Sequence, residues 1–126
     1  MPQTSTPRAE VRMLPQDDED ALMKRHRYAL QEIEREIRKI NREVIHRDIP
    51  KIERKHVVEL ATVVAEHRAR YLTAGMRLSS AKISTPEEQE LIRILPGLRR
   101  EFETARDVFA ALERAIEQAY VDVDLR

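Results

Sequence analysis

Apolar residues recur along this chain at helical spacing from residue 22 almost to the C-terminus, interrupted at two places. Leu22, Ala29, Ile33, Ile37, Ile40 and Val44 are separated by 7, 4, 4, 3 and 4 positions. At ~100° per residue they fall in one stripe roughly 80° wide. The pattern predicts a first helix from about Asp18 to Arg47, with Asp17-Asp18-Glu19-Asp20 supplying a cap and favourable charge at its N-terminus. Pro50 then removes a helical hydrogen bond and clashes one turn back. Projected as one uninterrupted helix, the next apolar set (Leu60, Val63, Val64, Tyr71, Ala74) would face roughly 180° away from the first stripe. Reversal at Asp48–Pro50 into a helical hairpin, with Asp48 capping the second helix, removes that conflict. A long kinked helix completed by a second chain is the competing solution.

The second helix is predicted over about Ile49 to Ala74, with Gly75 as a left-handed C-terminal residue. It carries a second apolar face, Val58, Ala61, Ala65, Ala69 and Leu72, so it is expected to lie between two neighbours as the most buried element. Residues 76–84 form the longest connection. Thr85-Pro86-Glu87-Glu88 then reads as a helix start, with Thr85 as N-cap, Pro86 at the first helical position and Glu88 closing a capping box. In the third helix Leu91, Leu95, Leu98, Phe102, Ala105, Phe109, Leu112, Ile116 and Ala119 keep an unbroken 4-3 alternation, the mark of a coiled-coil-like seam. Pro96-Gly97 lies inside it without breaking register, so a bend is expected there. The tail Asp122–Arg126 should fray.

These elements define an all-α fold, a three-helix antiparallel bundle or a helical hairpin with a long coiled-coil-like third helix. The domain reading is a flexible N-terminal arm over residues 1–16, which holds three of the six prolines, and one helical bundle domain over 17–126. Composition agrees. Only 4% of the 126 residues are aromatic, with no Trp and two Gly, so the core is built from Leu, Ile, Val and Ala. The absence of Cys excludes disulfides and thiolate metal sites and makes a cytoplasmic setting the simplest one. No apolar run is long enough to span a bilayer, and residues 1–15 hold no continuous apolar segment of the kind a secretory signal needs.

The zero net charge conceals an asymmetry: residues 24–56 carry 11 Lys/Arg against 6 Asp/Glu, and residues 83–126 carry 6 against 10. Such halves can attract each other within a chain or between chains. Lys24, Arg27, Arg35, Arg38 and Arg42 project within about 80° of one another, nearly opposite the apolar stripe. This basic ridge is the candidate partner-binding surface, for an acidic protein face or a phosphate backbone. It is interleaved with Glu32, Glu34, Glu36 and Glu43 and holds no aromatic residue for base stacking, which favours a solvated or protein-docking face.

Two Glu-x-x-His pairs, Glu43/His46 and Glu53/His56, have the spacing used by di-metal helical bundles. They flank a proline only ten residues apart, so they cannot face each other within one chain, and hydrogen-bonded seam histidines are the simpler reading. No nucleophile motif and no Gly-rich phosphate loop is present, and no cofactor is called for. The expected function is that of a small noncatalytic interaction protein (an adaptor, chaperone-like or assembly subunit) that acts through helix faces and forms a homodimer with itself. The alternatives are a nucleic-acid-associated helical protein, and a metal-binding or enzymatic bundle assembled across a dimer.

Overall fold

The computed structural model describes residues 5–126, with side chains from residue 16 onward. Its elements are α1 (Ser5–Asp48), β1 (Ile52–Glu53), α2 (Arg54–Ser80), α3 (Pro86–Glu117) and β2 (Val123–Asp124). The fold is all-α, as the periodicity indicates. Helix α1 starts upstream of Asp18, at Ser5; of the expected arm over 1–16, residues 1–15 otherwise fall outside the residues whose side chains are described. The chain divides into two compact units, Met1–Asn41 and Arg42–Arg126.

The first unit is built on α1, and its apolar stripe is open. Leu22, Met23, Leu30, Ile33, Ile37 and Ile40 are all exposed, with Ile33 at 52% and Ile40 at 55%. In the second unit α1 ends where Pro50 requires. Ile49 N–H makes the last helical bond, 2.8 Å to the Ile45 carbonyl, and the chain leaves the helix. Helix α2 begins later than Ile49, and its N-cap is Glu53 rather than Asp48. Residues 49–53 are drawn away from helical geometry by the short strand β1.

The packed helix pair is α2 with α3. Arg77 lies 3.7 Å from Glu87, Tyr71 stacks on Phe102 at 6.2 Å between ring centroids, and His67 faces Glu101. The end of α2 at Arg77 meets the start of α3 at Glu87, while His67 and Tyr71 meet Glu101 and Phe102 farther along, so the pair is antiparallel. The 4-3 repeat of α3 is this seam: from Leu91 to Ile116 every member is buried or half-buried. Leu91, at 1% exposure, is the one fully buried large side chain among the described residues. Pro96 sits inside α3 without ending it.

Helix α2 is covered on one side only. Val64 and Ala74 are buried on the face toward α3, whereas Val58, Ala61, Ala65, Ala69 and Leu72 are exposed. The expected sandwich is therefore corrected: within Arg42–Arg126 the packed partner of α2 is α3, and Ala65→Glu would meet water rather than a core. Gly75 is not a left-handed terminus either. The helix runs through it to Ser80 and is capped by Ala81, whose N–H reaches the Arg77 and Leu78 carbonyls.

The start of α3 follows its sequence signature with one shift. Glu88 N–H donates to Thr85 Oγ1 at 3.3 Å, but the Glu88 carboxylate accepts from Ser84 N–H at 2.8 Å, one residue before the N-cap. Its end is a Schellman turn. Tyr120 N–H donates to the Ala115 carbonyl at 2.8 Å and Ala119 N–H to the Ile116 carbonyl at 3.1 Å, with Ala119 left-handed at φ 58°. The chain then runs beside β1. Ile52 pairs with Val123 and Glu53 with Asp124, in parallel, and Ile52 N–H donates to the Asp122 carbonyl at 2.8 Å. The tail is paired rather than frayed because burial of Ile52 and Val121 anchors it.

Two outcomes follow. A left-handed Ala costs roughly 1–2 kcal/mol, more than the few tenths to 1 kcal/mol of unfolded-chain entropy that Gly adds. Ala119→Gly should therefore stabilise the protein by about 0.5–1 kcal/mol, read as a raised midpoint in urea with an unchanged slope. The Asp124 carboxyl is held below its ordinary value by the Arg126 backbone N–H, then by the Arg126 guanidinium and Lys51. A depressed carboxyl contributes above the usual carboxylate range and loses that contribution as pH falls. Acid should thus loosen the β1–β2 pairing first, seen as faster exchange of the Ile52 amide before the helices melt.

Candidate interaction surface

Helix α1 presents two opposed faces. Lys24, Arg27, Arg35 and Arg38 are exposed on the outer one. Arg35 is paired one turn back with Glu32 at 2.9 Å; Lys24, Arg27 and Arg38 form no ion pair among the described residues. Arg42, the fifth member of the expected ridge, does something else. Its guanidinium donates to the Ala119 carbonyl at 2.7 Å and to the Asp122 carboxylate at 2.5 Å. A Schellman end leaves carbonyls that no further turn can satisfy, and a cation there also complements the negative end of the helix dipole. Arg42 is thus an intramolecular cap for α3, and the ridge as a solvated surface ends at Arg38.

On the opposite face the apolar set is wider than the stripe first defined. Met23, His26, Leu30, Ile33, Ile37 and Ile40 recur at spacings of 3, 4, 3, 4 and 3, and all six are exposed. Among the described residues this 3-4 row lies open. Leu22 and Ala29 lie along one edge and Arg27 and Glu34 along the other. The helix is otherwise so charged that it contributes little burial of its own.

The two Glu-x-x-His pairs do not converge. Glu43 and His46 line a cleft of about 320 Å³ with Arg42, Ile49, Tyr120, Val121 and Asp122. There His46 Nδ1 stands 3.9 Å from the Asp122 carboxylate, and the Arg42 guanidinium already occupies that carboxylate. Glu53 and His56 serve the start of α2: Glu53 N–H donates to His56 Nδ1 at 3.0 Å. That bond requires an unprotonated Nδ1 and so places the ring proton on Nε2. No group of three His, Asp or Glu able to hold a metal ion occurs among the described residues. His67 is half-buried on the α2–α3 seam. Its Nδ1 lacks a hydrogen-bond partner, with the Glu101 carboxylate at 3.7 Å.

A larger opening of about 570 Å³ lies at the base of the second unit, lined chiefly by Ile49, Pro50, Ile52, Leu60, Leu112 and Val121. Its walls are mostly apolar, with Asp48, Lys51 and His56 the charged or polar residues among them. The Glu90 carboxyl is held below its ordinary value by a hydrogen bond and charge from Arg93, at 2.6 and 2.9 Å. That pair is exposed, whereas Asp124 is half-buried. No side chain that is polar or charged is buried among the described residues. Large apolar side chains, by contrast, stand exposed in rows along α1 and α2.

Sequence reasoning missed the roles of Arg42 and Asp122, whose partners are about eighty residues apart along the chain. It also left out Met23, His26 and Leu30 as seam members, although their 3-4 spacing was readable. No helix among the described residues is long and apolar enough to cross a membrane. No family model matches the chain, and comparison with curated proteins and with solved structures finds no similar one.

Arg42 and Arg35 offer a controlled contrast. Arg42→Gln removes a charge-assisted cap that is about half exposed, and should cost about 1 kcal/mol or less. It should also speed exchange of the Ile52 amide, whose acceptor is Asp122. Arg35→Gln should leave both the melting curve and that amide unchanged.

Proposed function

We propose that this chain is a noncatalytic helical assembly protein, and that the apolar seam of α1 is the surface through which it associates with a second copy of itself. The observation that carries this reading is the exposure, on one face of a strongly charged helix, of Leu30, Ile33, Ile37 and Ile40 together. Scattered exposed apolar residues are ordinary, but a contiguous row of them is characteristic of an interaction site. A helix also gains most of its stability in water from packing an apolar face, because propensity alone leaves isolated helices marginal. The seam from Met23 to Ile40 extends about 27 Å at 1.5 Å per residue, long enough for a stable helix–helix contact. Its composition, branched and unbranched aliphatics with flanking charges, fits another amphipathic helix better than a small molecule.

A second reading rests on Lys24, Arg27 and Arg38, whose exposed cations could track a phosphate backbone. It predicts binding to generic duplex whose affinity falls steeply with salt. The assembly reading predicts association that is weakly salt-dependent, since apolar burial carries it.

Sedimentation of the purified chain from low micromolar to sub-millimolar concentration tests the first reading. Wild type is expected above its monomer mass of 14.8 kDa, with a weight that rises with concentration. Ile33→Glu combined with Ile37→Glu should return it to monomer while keeping its helicity. Both positions are exposed in the single chain, and Glu has at least the helix propensity of Ile. A wild type that stays monomeric throughout that range would remove the proposal.

A further inference from the structure

Taking the α1 seam as the association surface, we infer that the two copies lie antiparallel, in the register that sets Met23 opposite Ile40 of the second copy. The inference rests on the reading above and adds the partner's direction and alignment.

The first argument is where the apolar seam starts. Extending the 3-4 spacing upstream of Met23 reaches Gln16 and Glu19, so the seam has a sharp polar edge. Antiparallel alignment about a two-fold between residues 31 and 32 matches Met23 with Ile40, His26 with Ile37 and Leu30 with Ile33, each twice by symmetry. Every layer in this span then contains at least one large aliphatic side chain. Shifting one heptad toward the N-terminus would set Glu19 against Ile37 and Gln16 against Ile40, burying polar groups without partners.

The second argument is charge. In an antiparallel pair the residues flanking the seam on the same edge face each other across the interface. In the stated register Arg27 meets Glu34 of the second copy and Glu34 meets its Arg27, two attractive pairs related by the two-fold. Both side chains are exposed and neither has an ion-pair partner among the described residues. Shifting one heptad toward the C-terminus instead brings Glu34 against Glu34 and Glu36 against Glu36 of the second copy. A parallel, in-register pair sets Glu34 beside Ala29 and Glu36 beside Asn41, with no attractive pair, and stacks His26 on His26. The same residue types thus favour one alignment by attraction and oppose its neighbours by like-charge contact.

The test uses the full chain, with charge reversal and cross-linking read separately. Arg27→Glu alone and Glu34→Arg alone should each raise the dimer dissociation constant by roughly tenfold or more, since each creates two like-charge contacts. The double variant, and an equimolar mixture of the two single variants, should recover to within about threefold of wild type. The chain contains no cysteine, so introduced thiols are unambiguous. Met23→Cys mixed with Ile40→Cys should be joined by a short bismaleimide into a dimer with one of each, while neither variant alone is joined efficiently. Efficient joining of Met23→Cys to itself would establish a parallel pair and overturn the inference. Charge reversals without effect on a dimer that still forms would overturn the register. A monomeric wild type would instead overturn the assembly reading on which both depend.

Discussion

A helix whose apolar residues recur at 4-3 spacing over some twenty-five positions has one efficient way to leave water, which is along the axis of another helix. In α3 that repeat runs from Leu91 to Ile116, and α2 supplies the facing surface through Val64, Tyr71 and Ala74. The remaining features of the second unit serve this contact. Thr85 and Pro86 start α3 cleanly, the Schellman turn at Ala119 ends it, and Arg42, paired with the Asp122 carboxylate, donates to the Ala119 carbonyl that the turn leaves open. The unit is thin. Five apolar side chains are buried and none that is polar, so its stability depends on one seam and on the closures at its two ends.

Features set by neighbours in the chain were legible from the residues. Pro50 stops α1 because its ring and missing N–H act locally, and Thr85-Pro86-Glu87-Glu88 starts α3 for similarly local reasons. The α3 seam was readable because periodicity survives any tertiary context that covers it. Features that need a partner far along the chain were not. Nothing near Arg42 signals that the Ala119 carbonyl will be open, and nothing in Ile52–Glu53 signals a parallel partner at Val123–Asp124. Gly75 misled for a related reason: glycine permits a left-handed turn without requiring one, and packing of Ala74 and Leu78 carries the helix past it. The left-handed positions fall instead on Ser84 and Ala119, where hydrogen bonding in the caps outweighs the steric preference.

The open faces mark a different limit. A stripe of Ile and Leu states that a surface prefers cover, and it is silent on whether the same chain supplies it. The face of α2 formed by Val58, Ala61 and Ala65 looked like the centre of a sandwich and is exposed, as is the row on α1. Both lie on elements whose remaining surface is dense in Lys, Arg and Glu. Candidate chemistry followed the same logic. The histidines are engaged in helix starts and seams or stand alone on the surface, and His56 contributes as a capping acceptor.

The parallel pairing of Ile52–Glu53 with Val123–Asp124 has a consequence for how the second unit folds. The α2–α3 hairpin closes through a connection of five residues, so its contacts form with little loop entropy. The strand pair closes a loop of about seventy residues, and closure entropy grows as roughly 1.5RT times the logarithm of loop length. Such contacts are favourable only after the hairpin has already brought the two ends near each other. Folding should therefore be ordered, a zipper of helices followed by a latch, and the latch should be the first part to open under native conditions. The latch ties the start of α2 to the chain beyond α3, so a tether between Glu53 and Asp124 would leave only a short loop to close and leave α2 and α3 unaltered.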